Sequence, residues 1–288
     1  NTNRTFADFT PKFALNFKVT PSVAVYTSFG YSFDSPAGNE LDNYPTSSNP
    51  GLMINPDLKP QKSTNFELGI KGNLLNDESD YFTNTLFDFT FYTTIVNDEI
   101  VPFEVYGDSF FRNSAKTNRK GLEAGITTEV YRGLKAILSY TYSDFNYDEY
   151  DAVVIGVDSL GEITTSAGDF SGNVVPSVPK HNLLFALEYT HRLTSNLNGF
   201  IKGAFQSLSG MYVNDANSVE TDGYQLLNST IGLEMFLDNF NILLSGGVNN
   251  LLDQKYVGFI NINSSNGRFY EAGEPRTFFA SLKFNYVF

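Results

Sequence analysis

The sequence predicts an all-β chain, a transmembrane antiparallel up-and-down β-barrel, and three observations carry that reading. Apolar and polar residues alternate with period 2 over runs of ten to fourteen residues, with no sustained helical period. No apolar run reaches the roughly 18 residues a spanning helix needs, and mean hydropathy is −0.20, so any crossing is made by strands. Finally, the connections between runs alternate strictly between short and long. Tight turns on one side of a membrane and long loops on the other give that asymmetry.

Eleven strands are expected, near 4–17, 22–33, 62–74, 82–97, 118–130, 134–147, 180–193, 197–212, 223–237, 240–256 and 275–288. In "KSTNFELGIKG", Phe66, Leu68 and Ile70 oppose Asn65, Glu67, Gly69 and Lys71. In "KGLEAGITTEV", Leu122, Ala124, Ile126 and Val130 oppose Glu123, Gly125, Thr127 and Glu129. In "YQLLNSTIGLEMFL", Leu227, Ile231, Leu233, Met235 and Leu237 oppose Asn228, Thr230, Gly232 and Glu234. Alternation alone also fits a sandwich with one wet face, so length decides. Sandwich strands run about five to six residues, whereas a tilted spanning strand needs about nine to eleven.

The short connections are 19–22, 74–81, 131–133, 194–196 and 238–239; the long ones are 34–61, 98–117, 148–179, 213–222 and 257–274. If Phe288 ends in the periplasm, the short turns are periplasmic and the long loops extracellular. Spanning strands satisfy their backbones only in a closed sheet, and single-chain bacterial barrels have an even strand number. An odd count, with no apolar leader in "NTNRTFADFTPKF", leads to the expectation that 1–288 is the C-terminal part of a longer barrel.

Composition excludes several function classes. Cysteine is absent, which removes disulfides and thiolate chemistry. Net charge is −13 with no basic cluster, so nucleic acid is not an expected partner. The two histidines, His181 and His191, bracket one strand and are expected as interfacial side chains; no nucleophile motif surrounds either, and no catalytic residue or enzyme activity is expected. The carboxylates of "DFNYDEYD" (144–151) are spaced like part of a Ca²⁺ loop but lack its glycine and closing glutamate. A solvated loop, or a cation site bridging lipopolysaccharide, is the simpler reading; no resident metal or cofactor is expected.

Aromatics gather near strand ends, at Tyr81, Phe82, Tyr140, Tyr142, Tyr256, Phe259, Tyr286 and Phe288, as expected of girdles at two membrane interfaces. Gly69, Gly125, Gly203, Gly232 and Gly246 fall inside strands and are expected to mark bends or close approach.

Five stretches resemble TonB-dependent outer-membrane receptors. "NPDLKPQKSTNFELGIKG" (55–72) is similar to the family's Asn-Pro-Asp-Leu-Lys-Pro-Glu entry into a mid-barrel strand, with Gln61 for Glu. "NSAKTNRKGLEAGI" (113–126) resembles its Asn-x-Gly…Gly-Val/Leu-Glu stretch, with Ala115 for Gly. "VPSVPKHNLLFALEY" (175–189) resembles its Val-Pro-x-x-Pro-x-His entry, and "GVNNLLDQKY" (247–256) its Asn-Leu-Phe-Asp-x-x-Tyr segment, with Leu252 for Phe. "EPRTFFASLKFNYVF" (274–288) is similar to the closing strand.

The resemblance implies one half of a plugged barrel of about 22 strands, in a bacterial outer membrane, with the plug domain and N-terminal coupling box absent from this chain. It implies active import of a scarce ligand, above all a ferric siderophore, the ferric-dicitrate type included. The implied partners are a TonB-type energy transducer, the barrel-assembly machinery, membrane lipid and lipopolysaccharide, and a small iron chelate. Loop residues suited to an anionic chelate are Tyr106, Arg112, Tyr147, Tyr150, Tyr212, Arg268 and Tyr270. The acidic run Asp148, Glu149, Asp151, Asp158, Glu162 and Asp169 opposes an anion, with only Lys180 nearby. Phe284, Tyr286 and Phe288 would form the assembly signal. Alternatives are a passive porin-like or structural barrel and a secreted glycan-binding β-sandwich.

Overall fold

The computed structural model describes residues 4–42, 55, 57–75, 79–105, 108–157, 163–264, 267 and 269–286. In chain order the elements are β1 (Lys12–Thr20), β2 (Val23–Asp34), α1 (Gly38–Asp42), β3 (Gln61–Leu75), β4 (Asn84–Val105), β5 (Asp108–Tyr131), β6 (Leu134–Val157), β7 (Ile163–Asp169), β8 (His181–Thr194), β9 (Leu197–Leu208), β10 (Tyr224–Leu237), β11 (Phe240–Asn249), β12 (Val257–Ile260), β13 (Tyr270–Ala272) and β14 (Thr277–Tyr286).

One antiparallel meander, β1-β2-β3-β4-β5-β6-β8-β9-β10-β11-β14, contains the eleven expected strands; β7 adds to β6, and β12 pairs with β13 alone. The first strand starts later than expected, at Lys12 rather than near residue 4. Stretches 98–117 and 148–179, expected as loops, are partly strand: β4, β5 and β6 run 22 to 24 residues. Their ladders continue past the bilayer, through a register shift between Val96 and Glu99 that absorbs the mismatch at the strained Asp98. Two-residue turns at 21–22, 132–133, 195–196 and 238–239 fix four hairpins at the other end.

The pairing sorts side chains into two faces. Leu233, Leu244 and Leu282 lie in one cross-strand row, as do Met235, Ile242 and Phe284, and as do Leu237, Phe240 and Tyr286. These apolar side chains are largely exposed. The opposite face carries Glu188 beside Lys202, 2.7 Å apart, and Glu234 beside Asn198 and Leu243. The chain exposes 17913 Å², against about 12,000 Å² for a folded soluble monomer of its mass. An apolar face this exposed is a lipid face.

The sheet ends on two edges. β1 pairs only with β2, and β14 only with β11, among the described residues. Each edge leaves a row of backbone donors and acceptors that a lipid environment forces onto further strands. The open sheet is thus a segment of barrel.

Glycines on the polar face have a packing reason. A Cβ on Gly69 would meet the Tyr26 ring at 2.5 Å, and one on Gly232 would meet Phe200 at 2.5 Å. The Tyr26 hydroxyl then reaches Thr90 at 2.7 Å, so the ring lies flat along the wall. Gly125 likewise makes room for Asp88, whereas Gly203 and Gly246, in the lipid-face register, meet no comparable obstruction.

Aromatic pairs mark both ends of the apolar band. Tyr81 and Tyr131 lie 5.0 Å apart, and Phe240 and Tyr286 4.9 Å apart, near the short turns. Toward the long connections the Tyr140 hydroxyl contacts His181 Nδ1 at 2.9 Å, and Tyr142 packs on the same imidazole. His191 stacks on Tyr189 at the short-turn end of β8. Tyr256 belongs to neither girdle: its ring covers Gly273 and packs on Tyr224 at 4.5 Å.

Candidate functional site

Long connections converge at one end of the sheet and build the chain's buried core there. Val101, Ala115, Tyr147 and Tyr150 form a cluster, joined by Phe170 and Val175. The extended β4–β5 and β5–β6 ladders supply the first four, and the return from β7 supplies the last two.

At its centre is Asp215, from the β9–β10 connection and 3% exposed. The Tyr147 hydroxyl donates to Asp215 Oδ1 at 2.7 Å, and the Tyr150 hydroxyl donates to Oδ2 at 2.7 Å. Asn263, between β12 and β13, donates its amide to Oδ2 at 2.7 Å and accepts the Asp215 backbone N–H at 2.9 Å. Asn173, from the β7–β8 connection, donates to the Asp215 carbonyl at 2.8 Å. Burial, and then the charge of Asp215, push both phenols above the ordinary tyrosine range. Both hydroxyls therefore stay protonated as donors.

The backbone around this carboxylate is strained. Ser177, Asn217 and Asn263 have φ of 61°, 51° and 57°. Asparagine tolerates that region, and Asn217 uses it to clasp Val174, donating to its carbonyl at 2.8 Å and accepting its N–H at 2.7 Å.

The motif stretches gather at the same end. Asn55 and Leu58 of "NPDLKP" are buried. Asn55 donates to the Phe111 carbonyl at 3.3 Å, and Asn113 accepts from the Lys59 N–H and donates to its carbonyl. Asn250 of "GVNNLLDQKY", with φ of 50°, donates to the carbonyls of Gln254 and Glu274. These side chains satisfy backbone that has left the ladder.

Of the loop residues expected to contact a ligand, Tyr147 and Tyr150 are the buried donors to Asp215. Tyr212 precedes it in the same connection, where its carbonyl accepts the Ser177 N–H at 2.9 Å. Arg112 lies beside Tyr150, donating to the Asp151 carbonyl at 3.2 Å, and burial lowers its pKa while Tyr150 and Asp151 oppose that shift. It borders a polar cleft of about 430 Å³ with Asp98, Asn113, Lys116, Glu149 and Asp151. Tyr270 stands exposed in β13. Tyr106, Arg268 and Phe288 lie outside the described residues, as do Asp158 and Glu162. Phe284 and Tyr286 occupy the lipid face of β14.

Sequence reasoning passed over Asp215, Asn173 and Asn263, and also Glu99 with Arg119. That pair makes an ion pair bridged by Thr117, whose hydroxyl donates to Glu99 Oε2 at 2.6 Å and accepts from Arg119 Nε at 3.2 Å. The one usable signal was the asparagine-rich stretch around Asp215, a composition that favours left-handed backbone. Among the described residues no three His, Asp or Glu side chains converge as a metal site.

Comparison with known proteins agrees with this architecture. Residues 1–251 match the family model described as TonB dependent receptor-like, beta-barrel. The ferric-pyoverdine M114 receptor PbuA of Pseudomonas sp. (strain M114) is 29% identical over 233 residues, 78% of this chain and 25% of that protein. The catecholate siderophore receptor Fiu of Escherichia coli (strain K12) is 24% identical over 275 residues, 94% of this chain and 32% of that protein. Among solved structures, the siderophore receptor PiuA from Acinetobacter baumannii superposes with a TM-score of 0.67 at 19% identity, covering 94% of this chain and 35% of that one. The chain thus spans a third or less of the curated relatives' length. Family model, strand order and lipid-facing band coincide, and the chain belongs to the TonB-dependent receptor-like β-barrel family.

Proposed function

We propose that this chain forms half of the barrel of an outer-membrane receptor that imports a ferric siderophore, with energy supplied by a TonB-type inner-membrane partner. The observation that carries the reading is the family match over a sheet that is apolar on one face and charged on the other, with long connections packed together at one end. That asymmetry suits a ligand captured outside and passed along a polar lumen. Relatives named as receptors for ferric pyoverdine and for catecholate siderophores support the cargo class.

In this reading Arg112 and Lys116, beside the polar cleft, offer cations to an anionic chelate, and the exposed ring of Tyr270 offers a stacking face, together with Tyr106 and Arg268. Tyr147, Tyr150 and Tyr212 serve from behind, by holding the connections. The lipid face of β14, with Phe284, Tyr286 and Phe288, is read by the barrel-assembly machinery, and the cations above the apolar band meet lipopolysaccharide. The receptor family argues against catalysis.

The test is uptake of radiolabelled iron as catecholate and citrate complexes, in cells with and without the gene and with and without the energy transducer. Uptake of one complex should require both. Uptake that survives loss of the transducer, together with open ion conductance of the purified barrel, would establish a passive pore instead.

A further inference from the structure

The arrangement around Asp215 carries a consequence that holds whatever the cargo is. Its two carboxylate oxygens receive donors from β6 and from the β12–β13 connection, and its backbone carbonyl receives Asn173 from the β7–β8 connection. Backbone bonds run along the same lines: the Asn263 N–H donates to the Val213 carbonyl at 3.2 Å, and the Ser177 N–H to the Tyr212 carbonyl at 2.9 Å. Three separate connections are therefore tied to one buried residue. Val213, two positions before Asp215, is fully buried among them.

We infer that Asp215 is the keystone that locks the β7–β8, β9–β10 and β11–β14 connections into one cap, so that they open together. Truncating it leaves two buried phenols and a half-buried amide without their acceptor, and each such group opposes the closed state. The phenols belong to β6, where the Tyr147 N–H donates to the Asn173 carbonyl at 2.9 Å and its carbonyl accepts the Gly172 N–H at 2.7 Å. The amide belongs to the β11–β14 connection, so the loss of one carboxylate reaches the β7–β8 connection through Tyr147 and the other two directly. Left-handed φ at Ser177, Asn217 and Asn263, one per connection, places stored strain on the same joint, which favours release as a unit once the joint is cut.

Hydrogen exchange on the full gene product in lipid nanodiscs tests this. In Asp215→Ala, amides in the stretches 173–177, 211–221 and 260–264 should all exchange faster by about tenfold or more, and by a common factor. Asp215→Asn, which turns an amide toward the donors, should give the same pattern. Faster exchange confined to 211–221, or no change anywhere, overturns the inference. Should both Asp215 variants fail to assemble, the Tyr147→Phe, Tyr150→Phe double variant decides, because it keeps both rings. It should raise exchange in the same three stretches by a smaller common factor, and a rise in one stretch alone defeats the proposal.

Discussion

The lipid-facing band and the loop cap solve opposite problems with the same chain. In the band, backbone bonds between strands are complete while side chains such as Ile231, Leu244 and Phe278 stay exposed. In the cap, backbone leaves the ladder and is rescued by Asn55, Asn113, Asn217 and Asn250, while Leu58, Val101, Tyr147 and Val213 are buried. A soluble domain joins both functions in one core. Here the core lies outside the membrane, and the band relies on lipid and on further strands for what a core would supply. The cap carries its own stability, and the band borrows its stability from the surroundings.

That division is broken most directly by a charge in the band. Leu244 is 52% exposed, midway along the row Leu233–Leu244–Leu282. Leu244→Arg should cost about 2–4 kcal/mol of folding stability in lipid, the effect of a cation near the midplane. Urea titration of the barrel in liposomes reads it. A cost near zero would mean that this face is not in the bilayer. Hydrogen exchange in the cap of the same variant gives the contrast, since it should be unaltered.

The cap should respond instead to alkaline pH. Tyr147 and Tyr150 have pKa values raised by burial and by Asp215, whereas in the opened state they titrate near the ordinary 10.0. Below that value both states hold the proton and the contribution to cap closure is intact. As pH rises above it the open state alone ionises, so closure weakens by up to about 1.4 kcal/mol per phenol for each pH unit. Limited proteolysis from pH 9 to pH 11 should show the long connections cleaved while the strands remain protected. Unchanged cleavage would show that the two hydroxyls are not held as donors.

These two regions also differ in how legible they are in the sequence. The band could be read at once, because period-2 alternation is local: Phe66, Leu68 and Ile70 announce their face without reference to any other strand. The strand count and the order along the sheet followed from it. Strand ends in 98–117 and 148–179 did not, because residues such as Val101 and Tyr150 form strand only through packing on one another across the ladder. Tyr147 and Tyr150 were legible as notable loop tyrosines, but their partner, 65 or more residues away, was not. No local pattern distinguishes Asp215 from Asp222 in the same stretch; only the fold makes one of them a buried acceptor.

The smallest expected effect concerns the polar face, which belongs to neither region. Glu129, Lys135, Glu188 and Lys202 lie in one cross-strand row over β5, β6, β8 and β9, with alternating sign. Lys202 and Glu188 are 2.7 Å apart but remain substantially exposed, so solvent screens them and the pair contributes less than about 1 kcal/mol. The row predicts an order rather than a size. Lys202→Ala leaves Glu188 beside Lys135, with its charge still met. Glu188→Ala leaves Lys135 and Lys202 flanking an empty position, like charges with nothing between them. Denaturation midpoints should therefore fall further for Glu188→Ala than for Lys202→Ala, and the gap should shrink as salt is raised. Equal midpoints at low salt would mean that the row acts as isolated solvated charges. A Lys202→Ala loss as large as that of Leu244→Arg would mean that the polar wall, and not the lipid face, sets the stability of the sheet.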